Sequence, residues 1–144
     1  MPDILHNLTI QSSAENVYDV ITTPKGLAVW WTKTSYSHPE LGAEYQPFFS
    51  DEYDWRAIVL EYDENTKFVL EITKADEDWT GTKVKLFLTR KGDSTDLQFE
   101  HTGWKETNHH FRVSSYCWAK NLRLLKKEVL FPMTKGKIYK TLCS

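Results

Sequence analysis

The chain has 144 residues, a length suited to one domain whose core needs neither a disulfide nor a metal. Its formal net charge of −2 argues against a general nucleic-acid binder. No run approaches the ~18 consecutive apolar residues of a membrane span, and residues 1–6 show no basic segment leading into an apolar one, so neither membrane insertion nor a secretory signal is expected.

Apolar residues at Ile4, Leu8 and Ile10 share one face and predict a first strand. Ser12 and Glu15 have the spacing of a capping box, so a helix is expected over 13–21, carrying Val17, Val20 and Ile21. Pro24 suits the first turn of a second short helix, which would carry Leu27, Trp30 and Trp31. From Gly42 the period changes to two. Alternating segments near 43–49, 53–62, 67–73, 82–91 and 94–102 are separated by turn-forming residues, the pattern of an antiparallel meander. Phe68, Leu70 and Ile72 share one face, as do Val84, Leu86 and Leu88, and Leu97, Phe99 and His101. That face must be covered.

The cover is a helix over about 108–130, with Thr107 or Asn108 as its cap. Phe111, Ser115, Trp118, Leu122, Leu125 and Val129 form its apolar stripe, and Lys120, Arg123, Lys126 and Lys127 lie off it toward solvent. Pro132 stops the helix. The predicted domain is 1–132, followed by a lysine-rich tail over 133–144 that is expected to be loose. The order strand, two short helices, meander and long helix defines an α+β fold in which one helix lies across a curved antiparallel sheet. A sheet curled round one helix is expected to leave a cavity.

The residues also resemble a known family. Pro24-Lys25-Gly26-Leu27 leading to Trp30-Trp31 is similar to the segment after the first helix in the START-like (SRPBCC) superfamily, in the branch named for the activator of the heat-shock-protein-90 ATPase. Thr95, Leu97, Phe99, His101, Gly103 and Trp104 fit the last strand of that branch, and Trp118, Leu122, Leu125 and Lys126 its final helix. The resemblance covers about residues 4–130. It implies a helix-grip fold, with a sheet of six or seven strands and the long helix enclosing an apolar pocket.

Aromatic residues make up 14% of the chain, an excess suited to large apolar contacts with a polar tip. Trp31, Tyr45, Trp55 and Phe68 are expected near the cavity, with Leu86, Phe99, Trp104 and Trp118. His101, inward-facing at the end of its strand, would be a polar anchor for a ligand or a satisfied core histidine. Ser114 and Ser115 put small side chains on the helix's inner side, where they would leave room for a ligand, with Ser115 in its lining, or admit a bulky sheet residue. The adjacent His109 and His110 point about 100° apart on a helix and lack the spacing of a zinc site, so no metal is expected. The carboxylates cluster in turns, no nucleophile has a base beside it, and no phosphate loop or dinucleotide motif occurs, so no cofactor and no catalytic residue is assigned. Cys117 and Cys143 have no metal-type spacing and fit free thiols in a cytoplasmic protein. The expected function is binding of a small hydrophobic or amphipathic molecule. The alternatives are a protein-interaction module, as the co-chaperone name suggests, and a cyclase- or hydrolase-like enzyme using His101.

Overall fold

A computed structural model describes residues 2–31, 33–34, 42, 44–45, 47–48 and 56–132; for 33–34, 44–45 and 47–48 only the backbone is described. Strand β1 (Ile4–Ile10) leads into helices α1 (Ala14–Thr22) and α2 (Pro24–Trp30). Three two-residue strands follow: β2 (Lys33–Thr34), β3 (Glu44–Tyr45) and β4 (Pro47–Phe48). Four long strands, β5 (Arg56–Asp63), β6 (Lys67–Lys74), β7 (Lys83–Lys91) and β8 (Ser94–Thr102), precede helix α3 (His109–Leu130).

The main sheet runs β1-β8-β7-β6-β5-β3, so the chain's first strand pairs with its last. All of its pairs are antiparallel. Five of its strands have seven to nine residues, and β3 adds two at the far edge. The run expected over 43–49 is divided. Glu44 and Tyr45 pair with β5, whereas Pro47 and Phe48 pair with β2 in a separate two-stranded sheet. Proline has no N–H to give a ladder, which favours this break. Register shifts between Arg56 and Ala57 and between Val59 and Glu61 are bulges, which bend a strand and sharpen its twist.

Local chemistry fixes the helices. The α1 cap falls one residue later than the capping-box spacing predicts: Ser13, not Ser12, accepts from the Asn16 amide at 3.2 Å, and Ser12 instead accepts from the Asn16 side chain. Thr23 caps α2 by accepting from the Gly26 amide, with Pro24 in the first turn. Gly26 is where α1 and α2 touch: a Cβ there would overlap the Val20 carbonyl oxygen and lie 2.6 Å from the Val20 carbonyl carbon and Cα. Asn108 caps α3 through the Phe111 amide at 2.9 Å.

Helix α3 buries Ser114, Cys117, Trp118, Asn121, Leu122, Leu125 and Glu128. The stripe is therefore rotated from the expected one at two places. Ser114 rather than Ser115 turns fully inward, and Glu128 rather than Val129 ends it. Facing it are three rows of the sheet. Phe68, Leu86 and Phe99 are cross-strand neighbours on β6, β7 and β8, as are Leu70, Val84 and His101. Leu88 pairs with Leu97 in the next row. The tail over 133–144 lies outside the described residues.

Candidate functional site

Between sheet and helix lies a continuous array of aromatic rings centred on Trp118. Trp31 packs on Trp118 at 5.2 Å between ring centres, Trp30 at 6.2 Å and Phe99 at 4.6 Å. On its other side Trp79 stacks at 5.6 Å and 22°. Trp79 then meets His101 edge-on at 4.7 Å, and His101 meets Trp104 at 5.0 Å. Trp104 closes the array edge-on against Phe111 and His110.

Two devices bring these rings in. Asp76 accepts from the Trp79 amide at 2.9 Å, and its carbonyl accepts from the Thr80 hydroxyl at 2.7 Å. This tight turn points Trp79 inward from a segment that is otherwise polar. At the end of β8, Gly103 has φ +89°, a left-handed conformation that costs glycine little. The chain turns there, so that His101 and Trp104 both face the interior.

His101 is fully buried and both ring nitrogens are engaged. Trp118 Nε1 donates to His101 Nδ1 at 3.0 Å. Nδ1 is therefore the acceptor, and Nε2 carries the proton and donates to Thr82 Oγ1 at 2.8 Å. The Thr82 hydroxyl donates its own hydrogen bond to the Trp79 carbonyl. Trp79 Nε1 donates in turn to Ser114 Oγ at 3.2 Å. Burial first, and the charge of His110 second, depress the His101 pKa to about 3. The imidazole is neutral at pH 7, a hub that leaves no nitrogen free for a substrate.

Two other donors contrast with this hub. Trp30 Nε1 and Trp104 Nε1 are buried and, among the described residues, have no hydrogen-bond acceptor. At the outer end of the array, Asp78 bonds His110 Nδ1 at 2.9 Å and accepts from Asn108 at 3.2 Å. The His110 bond, foremost, holds the Asp78 carboxyl below its ordinary range.

Of the residues expected near a ligand, Trp31, Phe68, Leu86, Phe99, His101, Trp104 and Trp118 are all buried in this one core. Trp31 is buried like its neighbour Trp30, 4% exposed against 1%. Ser115 lies apart, half-buried toward β1, its carbonyl 3.1 Å from His6 Nε2. Only the backbone of Tyr45 is described, and Trp55 lies outside the described residues. Trp79 and Thr82 were not anticipated, and Ser114 was expected only as a small residue on the inner side of the helix. A tryptophan amid the turn residues from Asp76 to Gly81 was the available signal for the first. Among the described residues no group of three or more His, Cys, Asp or Glu side chains is placed to hold a metal ion, and no helix is long and apolar enough to cross a membrane.

An antiparallel sheet closed over one long carboxy-terminal helix, with a helix pair after the first strand, defines a START-like, helix-grip protein. The chain belongs to the family described as Activator of Hsp90 ATPase homolog 1-like protein, whose model matches residues 11–129. It is similar to the Aha1 dimer from Colwellia psychrerythraea, solved in solution, at 27% identity and a TM-score of 0.80, covering 94% of this chain and 100% of that one. It is also similar to protein BH1534 of Bacillus halodurans (22% identity, TM-score 0.72, 90% of this chain and 97% of that one). CalU16 from Micromonospora echinospora follows at 17% identity and a TM-score of 0.71, covering 90% of this chain and 76% of that one. The last two likenesses establish the fold alone. No curated protein matches the sequence.

Proposed function

We propose that the chain binds a small hydrophobic or amphipathic molecule between the sheet and the helices, against the wall formed by Trp30, Trp31 and Trp118. The observation that carries this reading is the indole N–H of Trp30, buried among these rings and lacking an acceptor among the described residues. Leaving a buried donor unsatisfied costs about 1–3 kcal/mol, and a ligand oxygen at that point would remove the cost. The floor is apolar, the row Phe68, Leu86 and Phe99, which suits a greasy body behind a polar head.

The enzymatic alternative loses its principal residue, since His101 spends both nitrogens inside the core. A co-chaperone-like interaction module, which the family name suggests, would use the outer surface instead. Native mass spectrometry of protein purified from its own host separates these readings, together with tryptophan-fluorescence titration by a panel of fatty acids and flat aromatics. A co-purifying small molecule, or saturable quenching, supports the binder. Apoprotein alone, with no fluorescence response across the panel, defeats it.

A further inference from the structure

We infer that the outer edge of β1, together with the adjoining face of α3, is a docking groove for an extended acidic segment of a partner protein, which adds beside β1 as a further strand. Strand β1 pairs with β8 from Ile4↔His101 to Ile10↔Thr95, and among the described residues no strand pairs with its other edge. Sheet edges are ordinarily blunted by charge, proline, bulges or shortness. This one has seven residues, Ile-Leu-His-Asn-Leu-Thr-Ile, with neither Lys, Arg, Asp, Glu nor Pro, and no bulge against β8. Leu5 on its outer face is 64% exposed.

Helix α3 runs beside this edge and turns it into a groove of about 250 Å³. His6, Asn7 and Leu8 form one wall; Leu122, Arg123 and Lys126 form the other. Its apolar contacts are Leu8, Ala119 and Leu122, and its formal charges, Arg123 and Lys126, are both positive, with no carboxylate in the lining. Lys120 and Lys127 extend the positive charge along the helix, and Tyr116, one turn before Ala119, is 74% exposed.

These features choose the occupant. Antiparallel pairing of β1 with β1 of a second copy would make one continuous sheet with both α3 helices on the same side. The two Arg123–Lys126 faces would then meet, and like charges brought together disfavour that pairing. An acidic strand has the opposite balance. Alternate residues of an added strand face the same way, so those turned toward α3 are two apart. The fitting segment therefore carries an apolar side chain for Leu8 and Leu122, with a carboxylate two residues on for Arg123 and Lys126. Backbone hydrogen bonds to β1 supply affinity, and the carboxylates supply selectivity.

The test is titration of the full ¹⁵N-labelled chain with a capped heptapeptide, Thr-Leu-Thr-Glu-Thr-Glu-Thr. Two control peptides replace both Glu by Lys or N-methylate alternate backbone amides. Amide shifts confined to β1 and the 116–126 face of α3, and at least tenfold weaker binding of each control, are expected. The charge-reversed variant Arg123→Glu/Lys126→Glu, altered at the groove's outer wall, should lose at least tenfold in affinity for the Glu peptide and gain for the Lys peptide. The inference is overturned if the acidic peptide leaves β1 unshifted, if the N-methylated peptide binds equally well, or if the charge reversal leaves the peptide preference unchanged. It is equally overturned if β1 pairs with itself in a dimer that excludes the peptide.

Discussion

His101 should make the fold acid-sensitive in a defined window. Its ordinary pKa of 6.5 falls to about 3 in the folded chain, because burial and then the His110 charge disfavour the imidazolium. Between those values the unfolded chain binds a proton that the folded chain refuses. Stability from this residue is therefore fully present above about pH 6.5, declines as the pH falls, and levels off below about 3. Integrating the linkage gives a loss of ~2 kcal/mol from pH 7 to pH 5 and ~3 kcal/mol by pH 4. Carboxylates such as Asp78 and Asp96, both depressed by hydrogen-bonded partners, add their own acid sensitivity, so the raw curve is not diagnostic. The assay is urea unfolding from pH 7 to pH 4 for the wild type and for His101→Gln. Gln keeps a donor toward Thr82 and does not titrate, while giving up the acceptor for Trp118, which lowers its stability at neutral pH by about 1–3 kcal/mol. The stability gap should close by ~2 kcal/mol on going to pH 5. Parallel curves would refute the reasoning. So would a wild-type His101 imidazole that titrates near its ordinary value by NMR in the folded state, a measurement that needs no variant.

Three further outcomes follow from packing. Gly26→Ala, although Ala is the better helix former by ~1 kcal/mol, should destabilise by about 3 kcal/mol, because its Cβ meets the Val20 backbone rather than a movable side chain; an unchanged melting curve would contradict the close approach of α1 and α2. Ser114→Ala removes the hydroxyl that accepts from the Trp79 indole N–H and should cost about 1–3 kcal/mol by urea denaturation, with near-ultraviolet circular dichroism reporting the altered Trp79 environment. Replacing Trp30 by 3-benzothienylalanine keeps the ring and removes its N–H. The ligand-free protein should become more stable by about 1–3 kcal/mol while ligand affinity falls, and a loss of stability would show that the N–H has an acceptor.

Periodicity revealed the long elements because each has one buried face: Val84, Leu86 and Leu88 could only be a strand, and Trp118, Leu122 and Leu125 only a helix. Boundaries set by single hydrogen bonds were harder. Ser12 and Ser13 both precede α1, and which one caps it depends on the turn after Ile10, where the Ser12 amide donates to the Ile10 carbonyl. The phase of α3 likewise turned on packing against β1. Ser115 is drawn to His6 and Ser114 to Trp79, and neither attraction has a signature in the local pattern. Trp79 escaped for the same reason: a buried side chain in a turn has no period, and only its aromatic bulk marked it.

The hub explains why a histidine stands where an apolar residue would satisfy the strand pattern. Trp118 on α3, Thr82 before β7 and Trp79 on the β6–β7 turn each have a polar atom that must be bonded once buried. His101 accepts from the first and donates to the second, which then satisfies the third's carbonyl. A leucine there would strand the Trp118 indole N–H and take away the donor to Thr82 Oγ1; a charged histidine would lose the acceptor that Trp118 needs. Neutral imidazole joins helix, strand and turn at one point. Trp30, one helix away, has no such partner among the described residues, and that is the difference between two neighbouring indoles: one is bonded within the core, the other has a donor that the proposed ligand would satisfy.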